Sequence, residues 1–361
     1  MNFIFIEAAF PPPFLGGKEK QLFFLVREIF KNKNINVQVL SRTIKGENPA
    51  QNDLSCTKRF NSNLGLFFYF LLLALKLKRK DTVYYINTPS RIGQLAVLAC
   101  SLRRHNMIFK ISSEDVIDFL KPQNLLVDYI KNNVNFFHVL SQSNFDALLN
   151  IGISPNKIFL NYNGIEIPDK KIEVYIKSQQ VNLIFVGRVD KNKNLLNLIK
   201  SLHQVIEMEK DISFNLQVCG DGAHLSECID YVRKNDLTNV VEFSGFLSQK
   251  KVLEKLIMSD FFILPSYSEG MSNALLEAAS IGLPISCSSV GAYREILGEY
   301  SDFLSFDPFK SDDIVKALIR LSKLDSGEKK QYGEYLRKRI ESNFSIEKIS
   351  SNIVKVAEEL L

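Results

Sequence analysis

Two stretches in the second half of the sequence hold residue types suited to an anionic ligand rich in hydroxyls. Gly187-Arg188-Val189-Asp190-Lys191-Asn192-Lys193-Asn194 sets three cations between an apolar run and an amphipathic stretch. A guanidinium at Arg188 can clamp a diphosphate with two parallel N–H donors, and Lys193 can add a point charge. Solvated surface charge is the alternative use of the same turn. Further on, Glu269 and Glu277 stand on either side of Gly270-Met271-Ser272-Asn273. Ser272 or Asn273 can cap a helix whose free N–H groups suit an α-phosphate. Glu277, in the first turns of that helix, can accept two ribose hydroxyls, and Glu269 in the loop can meet sugar hydroxyls. Taken singly, each carboxylate also fits an ordinary surface position.

Such turns act when they lie beyond the C-terminal ends of parallel strands, and the apolar runs predict those strands. In the first half, strands are expected at 3–7, 36–40, 83–86, 107–111 and 136–140, alternating with helices at about 18–30, 64–78, 94–103 and 144–149. Pro11-Pro12-Pro13-Phe14-Leu15-Gly16-Gly17 is forced into a loop. After a polar stretch at 168–180, strands at 183–186, 215–219, 240–243 and 261–264 alternate with helices at 195–208, 225–235, 250–258 and 273–281. This alternation predicts two doubly wound α/β domains, 1–170 and 171–335, and a helical tail at 336–361 with Ser345 as an N-cap.

Gly187-Arg188 with Lys193 five positions on, Gly220-Asp221-Gly222 after a strand, and Glu269-Gly270 with Glu277 eight positions on resemble the family 4 retaining glycosyltransferases of GT-B fold. Asn163-Gly164-Ile165-Glu166 is similar to the turn that closes the N-terminal lobe in that family, and Gly16-Gly17 to its N-terminal glycine loop. The resemblance implies two Rossmann-like domains facing across a cleft, with the C-terminal helices packing back toward the N-terminal, acceptor-binding domain. It implies a donor nucleotide diphosphate sugar, UDP foremost, on the C-terminal domain, and a glycan or lipid-linked acceptor, as in bacterial surface polysaccharide assembly. Carried over, Arg188 and Lys193 bind the diphosphate, Glu277 the ribose and Glu269 the sugar. Gly187, Gly270, Met271, Ser272 and Asn273 surround sugar and phosphate, and Gly16 or Gly17 approaches the phosphate. One departure concerns the acceptor: many members place a His after the strand at 107–111, where this chain has Ser112-Ser113-Glu114-Asp115. Glu114 or Asp115 is the substitute contact, and His105, His138, His203 and His224 do not fit the role. A non-catalytic sugar-nucleotide-binding subunit and a sugar-nucleotide epimerase are the alternatives.

Other chemistries are set aside. Gly220-x-Gly222 has Leu225 where a dinucleotide loop needs its third glycine, and Gly17-Lys18 lacks the rest of a phosphate-binding P-loop. Asp-x-Asp does not occur, so no metal and no cofactor is expected, the cations replacing a bridging ion. Were Glu269 and Glu277 both helical they would stand ~12 Å apart along the axis, against the ~5 to 9.5 Å of paired glycosidase carboxylates; a loop could shorten that, but hydrolysis is not the first reading. The composition, 46% hydrophobic and 24% charged, is that of an ordinary globular chain, and five cysteines without a C-x-x-C pair suit a reducing, cytoplasmic setting. Residues 1–170 hold 21 Lys+Arg against 13 Asp+Glu, and the remainder 24 against 27. No aromatic-basic nucleic-acid motif accompanies the basic half. Its cluster Lys76, Lys78, Arg79, Lys80, with Arg103 and Arg104, predicts peripheral contact with the anionic inner face of the plasma membrane. The neighbouring apolar run at 64–75 is too short to span and is expected to be a buried core helix, with partial insertion into the membrane as the alternative.

Overall fold

The computed structural model describes residues 1–9, 17–42, 54–88, 90–112, 114–121, 125–168 and 180–361. The chain divides into two compact units, one of Met1–Gly164 with Phe344–Leu361, the other of Ile165–Asn343.

In the first unit, β1 (Asn2–Ala9), α1 (Gly17–Phe30), β2 (Asn36–Arg42), β3 (Thr57–Phe60), α2 (Asn63–Lys76), β4 (Thr82–Ile86) and α3 (Arg91–Ser101) come first. Then follow β5 (Asn106–Ile111), α4 (Glu114–Leu120), α5 (Leu125–Asn133), β6 (Phe136–Val139), α6 (Gln142–Asn150) and β7 (Ile158–Leu160). The described strands form one parallel sheet in the order β3-β2-β1-β4-β5-β6-β7. Strand side chains alternate between faces, so Ile4 and Ile6 join one core with α2 and α3, and Phe3 and Phe5 join another with α1. The strand order reverses between β1 and β4, the place where open α/β sheets hold ligands.

The second unit runs β8 (Gln180–Val186), α7 (Leu195–Met208), β9 (Ser213–Cys219), α8 (Leu225–Lys234), β10 (Val241–Phe243), α9 (Gln249–Ile257), β11 (Phe261–Leu264) and α10 (Asn273–Ser280). It continues with β12 (Ile285–Ser288), α11 (Tyr293–Leu297), α12 (Ser301–Leu304), β13 (Ser305–Phe306), α13 (Ser311–Ser322) and α14 (Ser326–Asn343). Its described strands are parallel in the order β10-β9-β8-β11-β12-β13, with the reversal between β8 and β11. The last helix, α15 (Ile346–Glu359), is capped by Ser345 as expected and sets Ile349, Ile353 and Ala357 into the α1 core of the first unit. The break falls at Asn343/Phe344 because α14 runs unbroken through 335/336, where the tail was expected to begin.

The two α/β sheets and the returning C-terminal helix match the expected architecture. Helix α2 differs from expectation: Leu66, Phe70 and Ala74 are buried, yet Leu64, Phe68, Leu72 and Leu75 face solvent. An unbroken apolar run has no polar face to reveal which side is covered.

Candidate active site

The turn after β8 is built by short-range hydrogen bonds. Asp190 caps a one-turn helix at Lys191–Lys193 by accepting from the Lys193 amide at 3.1 Å, and Asn194 closes it with φ 56°, a left-handed conformation asparagine tolerates. The Gly220-Asp221-Gly222 turn after β9 braces this segment from beside it. A Cβ on Gly220 would stand 1.8 Å from the Gly187 carbonyl oxygen, so only glycine allows that approach. Val189 N–H donates to the Asp221 carbonyl at 2.9 Å and Gly187 N–H to that of Cys219 at 3.1 Å.

The segment after β11 joins this turn although 76 residues separate Lys193 from Glu269. The Asn192 amide group donates to the Ser268 carbonyl at 2.8 Å and its oxygen accepts from Ser268 N–H at 3.0 Å, while Tyr267 N–H donates to the Asn192 carbonyl at 2.8 Å. So tied, the segments put the Lys193 ammonium in direct contact with the Glu269 carboxylate. The same Glu269 oxygen accepts from the buried Ser266 hydroxyl at 2.8 Å. The two side chains are 18% and 16% exposed, a shielding that makes the contact stronger than a surface ion pair. Cys287 on β12 lies within reach of that charge: burial, then Glu269, pushes its thiol up to about 12.

Ser272 caps α10, its hydroxyl accepting from the Leu275 amide at 3.4 Å, as one of the two expected caps. Met271 and Ser272 are buried and Asn273 is half-buried at the helix start. Glu277 is the fifth residue of α10. Gly291, which sequence reasoning passed over, holds the Glu269-Gly270 turn in place. It has φ 60°, a Cβ there would come within 2.4 Å of the Glu269 carbonyl oxygen, and the adjoining Ala292 N–H donates to the Gly270 carbonyl at 2.9 Å. Its signal was a glycine just past a strand end in the sheet that carries the other turns.

Lys193, Glu269 and the α10 start are thus brought together. Arg188 is 74% exposed, its Nε 3.5 Å from an Asp190 carboxylate oxygen. Gly17 heads α1; Gly16 lies outside the described residues, as do the side chains of Glu114 and Asp115. Among the described residues, no group of three or more His, Cys, Asp or Glu could hold a metal ion.

In the first unit, a buried polar row that the sequence reading missed crosses the carboxyl ends of the strands. Glu7 and Asn87 stand two positions beyond the paired Phe5 and Tyr85, and Lys110 pairs with His138 on the next two strands. The Glu7 carboxylate lies 3.3 Å from the Lys18 ammonium, and accepts from the Ala8 amide at 2.7 Å and from Asn87. Burial raises the pKa of Glu7 against the influence of Lys18. Burial also lowers that of Lys110 to about 8, with Glu7 opposing; its ammonium donates to the Asn163 side chain at 3.3 Å. His138 is pushed down to about 3 by burial and then by Lys110. Its Nε2 lies 2.9 Å from the Asn161 carbonyl, which can only accept, so the proton sits there and Nδ1 accepts from the Tyr85 hydroxyl at 2.6 Å. Both His105 and His138 are buried.

Residues 167–339 match the family described as glycosyl transferases group 1. An uncharacterized glycosyltransferase of Methanocaldococcus jannaschii is 28% identical over 261 residues, 66% of this chain and 73% of that one. The N-acetylgalactosamine-N,N'-diacetylbacillosaminyl-diphospho-undecaprenol 4-alpha-N-acetylgalactosaminyltransferase of Campylobacter jejuni is 23% identical over 303 residues, 79% of this chain and 80% of that one. The structure of Anabaena HepE in complex with UDP-glucose superposes with a TM-score of 0.76 at 16% identity, covering 99% of this chain and 100% of that one. The family match falls within the second unit, in a chain whose fold is that of the GT-B glycosyltransferases.

Proposed function

We propose that this protein is a retaining glycosyltransferase that moves a hexosyl or N-acetylhexosaminyl group from a nucleotide diphosphate sugar, UDP foremost, to a hydroxyl of a glycan or lipid-linked acceptor. The observation that carries this is the Lys193–Glu269 contact beside the capped start of α10. It gathers a cation, a helix N-terminus and a carboxylate at the strand ends of one sheet. In this reading the diphosphate leaves against Lys193, Arg188 and the α10 amides, which stabilise the charge that develops on it. Glu277 accepts from the ribose hydroxyls and Glu269 from those of the sugar. The acceptor hydroxyl attacks from the face the diphosphate leaves and passes its proton to the departing diphosphate oxygen, so configuration is kept and no enzyme nucleophile is required. The cations do the work of a bridging metal.

HepE is described with UDP-glucose, and the Campylobacter relative is named for a diphospho-undecaprenol substrate. The first supports a UDP-sugar donor and the second a lipid-linked glycan acceptor; in this reading the product enters surface polysaccharide assembly, with the enzyme docked on the cytoplasmic face of the membrane. A thermal-shift screen of nucleotide sugars, followed by transfer of the stabilising labelled sugar to undecaprenyl-linked acceptors, tests the reading. Transfer with retention is expected. Binding without transfer would leave a non-catalytic subunit, and sugar isomerisation without acceptor would indicate an epimerase.

A further inference from the structure

Helix α2 turns its two sides to different surroundings. Leu66, Phe70 and Ala74 are buried in the first sheet's core, whereas Leu64, Phe68, Leu72 and Leu75 are 64%, 54%, 64% and 47% exposed. At about 100° per residue the exposed four fall within roughly 80° of arc, opposite the buried three, as a stripe ~17 Å long. Leu102, 68% exposed, stands at the C-cap of α3, which packs beside α2. Contiguous apolar surface of this kind marks an interaction site.

The stripe has a basic rim. Lys76 ends the helix, and Lys78, Arg79 and Lys80 follow it, all exposed, with Asp81 the one carboxylate among them. The Arg103 guanidinium donates to the Leu75 carbonyl at 3.1 Å, which brings the basic end of α3, Arg103-Arg104, to the end of the stripe. Removing these six cations from the 21 in residues 1–170 would leave 15 against 13 carboxylates, so most of the positive excess of the first half sits on this rim.

We propose that α2 is an interfacial helix, lying in the plane of an anionic membrane with its apolar stripe at the acyl boundary and its basic rim among the headgroup phosphates. This rests on the membrane docking in the proposed function and assigns the surface that performs it. No helix among the described residues is long and apolar enough to cross a membrane. The 14 residues of α2 reach ~21 Å, short of the ~30 Å hydrocarbon core, which fits a helix lying in the interface. A second copy of the chain is the competing occupant, but it would bring a second set of the six cations to the contact, with Asp81 the one carboxylate among residues 76–81 to offset them. Lipid phosphates neutralise them instead.

The sequence has no tryptophan, so Phe68→Trp in the full chain gives a single reporter at a position already exposed. With vesicles of phosphatidylglycerol and phosphatidylethanolamine its emission is expected to shift to the blue and to be quenched by lipids brominated on the acyl chain. Phosphatidylcholine vesicles are expected to give neither. Phe68→Ser/Leu72→Ser and Lys78→Glu/Lys80→Glu, each with wild-type circular dichroism, are expected to lower co-sedimentation with the anionic vesicles by at least about tenfold. Unchanged emission in the anionic vesicles would overturn the proposal. So would a dimer in sedimentation equilibrium that the serine pair abolishes, with no vesicle binding. The readout is lipid and not sugar transfer, so either result leaves the donor-site reading to its own assay.

Discussion

Removing Lys193 separates what it does for the fold from what it does for a donor. In the free protein its ammonium contacts Glu269, with both side chains less than a fifth exposed, so Lys193→Met leaves a shielded carboxylate with Ser266 as its remaining hydrogen-bond donor of known distance. A hydrogen bond to a charged group is worth ~1.5 to 3 kcal/mol, the expected stability loss of the single variant. Lys193→Met/Glu269→Gln removes the stranded charge and is expected to recover much of that loss. Transfer is expected to behave differently. If Lys193 also meets the donor diphosphate, its loss costs a similar ~1.5 to 3 kcal/mol in the transition state, about 10- to 150-fold in kcat/KM. Making Glu269 neutral cannot restore that. The assay is a double-mutant cycle read twice, by chemical denaturation and by initial rates of sugar transfer. Recovery of rate in the double variant would show that Lys193 serves only to neutralise Glu269, and a single variant within about threefold of wild type would remove Lys193 from the donor site.

Glu277→Gln is expected to reduce kcat/KM at least about tenfold through loss of charge-assisted ribose contacts, measured as a rise in KM for the donor. Transfer is expected to persist in excess EDTA, since in the proposed reading Arg188 and Lys193 neutralise the charge on the diphosphate; loss in EDTA with recovery on added magnesium or manganese would refute this. His138 should make the first unit acid-sensitive. Its folded pKa, about 3, lies below the unfolded value, so the unfolded chain binds the proton first and stability falls as pH drops below about 6.5. Between pH 7 and 5 that amounts to ~2 kcal/mol. His138→Gln keeps an acceptor for Tyr85 and a donor for Asn161 without titrating; the raised Glu7 acts in the opposite direction but is common to both proteins. Equal pH dependence of denaturation in both would refute the assignment.

The regular alternation of apolar runs and helical patterns made both α/β units legible before any coordinates. What it missed has physical reasons. Strand β12 is Ile285-Ser286-Cys287-Ser288, buried throughout, and its serines satisfy themselves on the Leu304 and Leu264 carbonyls, so it reads as polar though it is core. At the edge, β3 carries Lys58 and Arg59 among only four residues. The Glu7, Asn87, Lys110 and His138 row draws one residue from each of four separate strand segments, and only pairing register brings them together. In the second unit, spacing identified Lys193 and Glu269 as residues of interest, but their contact is tertiary, made by Asn192 and allowed by the bare Cα of Gly291.

That contact also explains why two donors converge on one oxygen of Glu269. In the proposed reading, a donor diphosphate, which carries more charge than a carboxylate, would draw Lys193 toward itself and weaken its hold on Glu269. Without a second donor the carboxylate would then be free to turn just when it has to meet the sugar. Ser266, fully buried at the end of β11 and 2.8 Å from the same oxygen, prevents this because it does not answer to the phosphate. A hydroxyl fixed in the core would keep Glu269 in place across such an exchange, while the flexible stem of Lys193 would make the movement. The charged member of the pair can thus switch partners, and the neutral one preserves the geometry.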